Sequence, residues 1–301
     1  MQPDVVCLGL ATFDSIVVLP SWPTPDGRLI AEQVVRSGGG PAATAAVTIA
    51  RLGSSVALVG AVGDDANGDP ARAALAASGV DVGHLHSLPG RTAESVVLVD
   101  RSAGTRSILH RPGVALSTLD DASRRMAESA SWVHVDHVGY PLASDLDPAR
   151  LSTDAGNPIA ELRLHGLGLY APTADAIGDR FPGCTLREAI RMALDEGAHR
   201  VVVTLGGDGA IGADGGGAWR VAAARTQVAS TLGAGDVFHG SIVASLAAGQ
   251  SLPDAMRRAN VAAALSCRSI DARGSIPTLP ELTAALASAP PVEPIVLEQA
   301  R

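Results

Sequence analysis

The 301-residue sequence contains no lysine; all 23 of its basic residues are arginine. That absence removes several chemistries at once. A P-loop needs the lysine of its GK[ST] step, Schiff-base and pyridoxal enzymes need a lysine amine, and a protein-kinase site needs the lysine of its third strand. Aromatic residues make up only 3%, so the interior has to be built from Ala, Val and Leu. The cysteines, Cys7, Cys184 and Cys267, are odd in number and far apart. They fit neither a disulfide framework nor a zinc ribbon and point to a reducing compartment. No uncharged apolar run approaches the ~20 residues of a membrane helix. The N-terminus lacks the basic start and small-residue cleavage site of a signal peptide, so the expected location is cytoplasmic. Positive charge is short too: 23 − 31 gives −8, with no basic block longer than Arg124-Arg125 or Arg257-Arg258. Nucleic acid and anionic membrane are disfavoured as partners.

What is present alternates between strand-like and helix-like stretches. Residues 4–10 (DVVCLGL) form an apolar run of the kind a buried strand needs, with 13–19 as its continuation. Strands are expected near 56–62, 131–138, 150–156, 165–172 and 199–207, and a hairpin follows in IGADGGGAWRVAA. Helices are expected over 41–52, 70–79, 118–130, 185–197, 234–249, 252–270 and 278–288. This order argues for a parallel sheet covered on both faces. Two stretches, 28–37 and 95–110, alternate apolar and polar residues and read as a small side sheet, the second as a hairpin around Ser102–Gly104. The last dozen residues, PPVEPIVLEQAR, read as a loose tail.

The sharpest motif is Ser230-Thr231-Leu232-Gly233-Ala234-Gly235-Asp236-Val237-Phe238-His239-Gly240. Two glycines open a helix of small apolar residues. A helix N-terminus exposes unpaired N–H groups and binds anions, and Gly233 and Gly235 let an anion approach the backbone closely. Asp236 falls in the first turn, where a carboxylate can take the proton of an attacking hydroxyl. Phosphoryl transfer asks for little beyond such a base, an anion cradle and a metal. Spacing alone leaves an ordinary acidic helix start equally open. Gly38-Gly39-Gly40-Pro41-Ala42-Ala43-Thr44 is a second glycine turn into a helix, readable as a ligand loop or as a tight connection. Gly207-Asp208-Gly209-Ala210-Ile211-Gly212 matches G-x-G-x-x-G but no helix follows it, which rejects a dinucleotide fingerprint. His134-Val135-Asp136-His137 does not converge as a metal set, because on a strand His137 points away from the other two. Asp14 interrupts an apolar stretch, as an exposed strand residue or as a carboxylate for sugar hydroxyls.

Together these residues resemble the ribokinase-like (PfkB) carbohydrate kinases over almost the whole chain. Gly39-Gly40-Pro41-Ala42-Ala43-Thr44 followed by ARLG is similar to the family's N-terminal signature, and STLGAGDVFHG to its C-terminal one. The resemblance implies one α/β domain over 1–301, a three-layer α/β/α Rossmann-like fold with a small β-sheet lid from about 13–37 and 95–110. It implies ATP-dependent phosphorylation of a sugar hydroxyl, with Mg²⁺ as cofactor. Asp236 would be the general base, with the amides of Gly233, Ala234 and Gly235 as the anion hole. Asp14, Gly39, Gly40 and Thr44 fall at sugar-contacting positions; Thr204, Gly206, Gly209 and Asn260 fall near the nucleotide. Pairing of two lids would give a homodimer.

Three departures qualify that picture. Ser230 stands where the family has an Asp that helps bind a monovalent cation, which argues against potassium activation. The family's Asn-x-x-Glu aligns with Thr173-Ala174-Asp175-Ala176, leaving Asp175 as a partial substitute. Thr44 replaces the usual Asn, which argues against ribose itself. The motif wording is most similar to a branch with sulfofructose kinases, with ketohexokinases also similar. An anionic sugar would need fixed cations; Arg28, Arg106 and Arg111, on or beside the lid, could supply them or be plain solvated charge. Two alternatives stay open. One is a sugar- or nucleotide-binding member of the same fold without activity. The other is a nucleoside kinase, which the scarcity of aromatic rings disfavours.

Overall fold

Small apolar residues at period two build the central sheet. The computed structural model describes residues 2–102 and 105–297. In β1 (Val5–Leu8), Val5 and Cys7 face one side while Val6 and Leu8 face the other, and all four are buried. A strand covered on both faces reads as a continuous apolar run for this reason. Among the described residues ten strands form the large sheet. Parallel neighbours run from β5 (Leu85–Leu88) through β4 (Val56–Gly63), β1, β8 (Trp132–Val135), β9 (Leu151–Ala155) and β10 (Leu169–Pro172) to β11 (Arg200–Thr204). Antiparallel β12 (Ala210–Asp214), β13 (Gly217–Val221) and β14 (Val292–Ile295) complete the edge.

One face packs against α1 (Pro41–Arg51), α2 (Gly68–Ala77), α6 (Ala234–Ala247), α7 (Leu252–Ser266) and α8 (Leu279–Leu286). The other packs against α3 (Asp121–Ser129), α4 (Ala174–Arg180) and α5 (Leu186–Asp195). This is the three-layer α/β/α arrangement expected. With so few aromatic rings, the core closes through small side chains: a Cβ on Gly240 of α6 would lie 2.6 Å from the Ala45 carbonyl of α1. Among the described residues no helix is long and apolar enough to cross a membrane.

A second sheet has the order β3 (Gln33–Gly39), β2 (Thr12–Leu19), β6 (Glu94–Asp100), β7 (Thr105–Arg111). The sequence reading that continued the first strand through 13–19 is corrected here. The chain leaves the large sheet at Gly9, whose φ of +154° suits glycine and where a Cβ would strike the Asp136 carboxylate at 2.2 Å. β2 then joins the small sheet. Residues 28–32, all but the half-buried Ala31 exposed, lie outside the strand, which begins at Gln33. The β6–β7 hairpin is as expected; Ala103 and Gly104 of its turn lie outside the described residues. The expected loose tail is corrected as well. Val292–Ile295 pairs antiparallel with β13, with Pro294 on an outer strand, where a missing N–H costs no ladder bond. Residues 298–301 lie outside the described residues. β5, only four residues long, was not foreseen.

Candidate active site

Open α/β sheets bind ligands beyond the carboxyl ends of their strands, and there the chain gathers its polar residues. Asp136 follows β8 directly and is fully buried. Its carboxylate accepts four backbone N–H groups: Leu10 (2.8 Å), Ala42 (3.2 Å), Val138 (2.9 Å) and Gly139 (2.9 Å). Asp136 therefore ties the β1–β2 crossing and the N-terminus of α1 to the end of β8, a structural duty. Asp136→Ala leaves the buried Ala42 and Gly139 donors and the part-buried Leu10 and Val138 donors unpaired, at about 1–3 kcal/mol for each buried one before relaxation. Its urea midpoint should fall by an amount worth at least ~3 kcal/mol; an unchanged midpoint would refute this role.

Asp14, on β2, is buried with one carboxylate oxygen fixed by the Ser95 N–H at 2.8 Å. Burial pushes its carboxyl up. Gly39 leaves room for the acid: a Cβ there would lie 2.1 Å from Asp14 Oδ2 and 2.6 Å from Thr12 Oγ1. Gly40 has φ of +92° and begins α1, and Thr44 is buried one turn in. Asp14, Gly39, Gly40 and Thr44 are thus brought together.

Gly233, left-handed with φ +74°, precedes α6; a Cβ on it would meet Ala272 at 2.6 Å. A Cβ on Gly235 would meet nothing within 4 Å, so open space lies over the first turn. The Ala234 N–H turns back to the Thr231 carbonyl at 3.3 Å, one of the three expected anion-hole amides already engaged. Asp236 is half-buried. Burial, reinforced by Asp154 and opposed by His239 and Arg273, pushes its carboxyl up to about 7.

Three residues of this cluster were not singled out in the sequence. One turn along α6, buried His239 places Nδ1 3.1 Å from Asp154 Oδ2, and its Nε2 lies 3.1 Å from the Ala171 carbonyl. Burial opposes both charges, but each outweighs it in the other: the imidazole is held up and the Asp154 carboxyl held down. Arg273, in the loop after α7, donates Nη2 to the Gly39 carbonyl (2.6 Å) and Nε to Thr44 Oγ1 (3.2 Å). Only the buried position of Asp154 at a strand end hinted at its place; nothing local marked Arg273.

The expected cations divide. Arg106 hydrogen-bonds the Thr231 hydroxyl, beside the glycine turn of α6. Arg111 pairs with Glu94 at 2.7 Å, in the row of the small sheet opposite to the one carrying Asp14, so it is not gathered with the others. Arg28 lies exposed in the loop between β2 and β3. On the far side, Thr204 ends β11, and Gly206 (φ +57°) and Gly209 (φ +94°) bracket a tight turn into β12. Asn260 of α7 donates to the Ala222 carbonyl at 2.6 Å. Next to it opens a cleft of about 730 Å³ whose walls include Ala222, Ala224, Arg225, Ala264 and Pro290.

An acid in the first turn of a glycine-opened helix, a buried carboxylate on a second sheet and a cleft beside α7 are the parts of an α/β group-transfer enzyme. The comparisons narrow it. The family model described as pfkB family carbohydrate kinase matches residues 2–155 and 180–279. Fructoselysine 6-kinase of Escherichia coli is 31% identical over 234 residues, covering 75% of this chain and 88% of its own. Ribokinase of Haemophilus influenzae is 25% identical over 301 residues, covering 93% and 97%. The Arabidopsis thaliana ribokinase structure, complexed with ribose and ATP, superposes with a TM-score of 0.82 at 24% identity, covering 95% and 99%. The chain belongs to the pfkB family and is a carbohydrate kinase.

Proposed function

We propose that the chain transfers the γ-phosphoryl group of ATP to a hydroxyl of a sugar, with Asp236 as general base. The observation that carries this is the half-buried Asp236 carboxylate in the first turn of α6, beside the open space over Gly235. The acceptor oxygen attacks phosphorus, its proton passes to Asp236, and the bond from phosphorus to the ADP oxygen breaks. The N-terminal amides of α6 receive the charge of the phosphoryl oxygens. Asp14 and the Gly39–Thr44 turn would hold the sugar. The cleft beside Asn260, walled by small side chains, suits a flat base, and the ATP in the Arabidopsis relative supports that donor.

Among the described residues no three acidic or imidazole groups converge to cage a metal. Mg²⁺ does not need such a cage, because it keeps waters and substrate phosphates and takes one or two carboxylates. Asp175, exposed in the first turn of α4 beside the Thr173–Thr204 bridge, is the carboxylate that fits. When bound, the ion would neutralise phosphate charge.

The test is ADP release over a panel of ketoses, aldoses, glycated sugars, sugar phosphates and nucleosides. Stoichiometric ADP with a sugar is expected; sugar binding without any ADP would overturn the reading. The relatives' names span a ribose and a fructose adduct, so the panel also sets the acceptor. The small sheet reads as a lid that excludes water when closed. Its outer row exposes Val34 (63%) and Leu109 (56%), with Val96 between them, which supports a homodimer formed by two lids. Light scattering is expected to give twice the mass of one chain, and Leu109→Glu to give one.

A further inference from the structure

Five carboxylates crowd this site: Asp14, Asp136, Asp154, Asp236 and Asp271 all lie among the charges felt by Asp236 or Arg273. Arg273 and His239 oppose them at Asp236. His239 is paired with Asp154. The charges that act on Arg273 are Asp14, Asp236 and Asp271. Arg273 comes from the loop that follows α7, and that loop is itself fixed to the small sheet by the Ser37 hydroxyl donating to Asp271 at 3.0 Å. Two of its nitrogens grip the acceptor turn, through the Gly39 carbonyl and Thr44 Oγ1. The third, Nη1, lies over Gly38, where a Cβ would come within 2.3 Å of it, so that glycine keeps the space for the guanidinium.

We propose that Arg273 is the positioning residue of the acceptor site: its fork holds the Gly39–Thr44 turn, and its fixed charge acts on both Asp14 and Asp236. The proposal rests on Asp236 being the base. A planar guanidinium with several donors in fixed directions can serve a carbonyl, a hydroxyl and neighbouring carboxylates at once, which an ammonium cannot. The charge also survives its surroundings. Burial lowers the guanidinium only to about 10, so it stays protonated at neutral pH. Its effect on Asp236 has a definite sign. An opposite charge nearby favours the carboxylate, so Arg273 and His239 oppose burial, Asp154 and Asp136, which favour the protonated acid. Without Arg273, less of Asp236 would be ionised at neutral pH.

Two variants separate charge from grip. Arg273→Gln removes the charge and keeps a donor; Arg273→Lys keeps the charge and loses the fork. The readout is the titration of the Asp236 carboxyl carbon by carbon-13 NMR in the ligand-free protein, its signal assigned by its loss in Asp236→Asn. This needs no activity. Arg273→Gln is expected to move that titration upward by about 1 unit or more, and the acidic limb of kcat/KM with it. Arg273→Lys should leave the titration near the parent value while raising the acceptor KM, because the turn is no longer gripped. A parent-like titration in Arg273→Gln, or an equal upward move in both variants, overturns the proposal. Parent-like turnover in Asp236→Asn would instead sink the assignment of the base, so the two failures are distinguishable.

Discussion

Asp236→Asn is expected to lower kcat by roughly 10²–10⁴, the usual share of a positioned general base, with the acceptor's dissociation constant by calorimetry unchanged. The substitution is nearly isosteric, and an amide cannot accept the hydroxyl proton. The pH dependence gives a second signature. The active form is the carboxylate, and burial beside Asp154 holds its acid form up to about 7. In the parent, kcat/KM should therefore rise with pH through that region and level off above it. The acidic limb should vanish from the residual activity of Asp236→Asn. A variant turning over at the parent rate, or one retaining the same limb, would show that another group takes the proton. His239 and Asp154 are the neighbours to test next, since they sit one turn and one strand away and are paired with each other.

The parts of the molecule that follow local rules were legible in the sequence. β1, β4 and β11 read as buried strands because apolar residues, many of them Val, run through them, and α1 and α6 announced themselves by glycine turns ahead of alanine-rich periodicity. Residues 95–110 stood out because β6 alternates, as a strand with one covered face does, while β7 is exposed along its whole length. What escaped was decided by tertiary partners. Residues 13–19 are largely apolar, like the strand before them; only the close approach of Asp136 to Gly9 shows why the chain changes sheets there. The segment Val292–Ile295 is short and carries a proline, and becomes a strand only because β13 offers an edge. Arg273 lies 229 positions from Thr44 and 234 from Gly39, so no spacing could join them. Asp154 and His239 were likewise ordinary residues of a strand and a helix until the sheet and α6 came together.

The acceptor side makes the second large prediction. Asp14 presents a carboxylate whose Oδ1 is held by the Ser95 N–H and whose Oδ2 lies against Gly39. Two charge-assisted hydrogen bonds to sugar hydroxyls at about 1.5–3 kcal/mol each amount to roughly 10²–10⁴ in acceptor kcat/KM. Asp14→Ala is expected to lose that factor mainly through KM, because the bonds exist in the bound sugar as well as at the transition state. The ATP KM should not move. Gly39→Ala attacks the same contact from the other side without touching the acid. The backbone there accepts alanine, but its methyl would require the carboxylate to swing away from Oδ2's present place, 2.1 Å from the added carbon. Its loss should approach that of Asp14→Ala, and the double variant should be little worse than either alone, since both remove one interaction. Additive losses would mean that Gly39 acts on something other than Asp14. A parent-like acceptor KM in Asp14→Ala would move the sugar away from this carboxylate altogether.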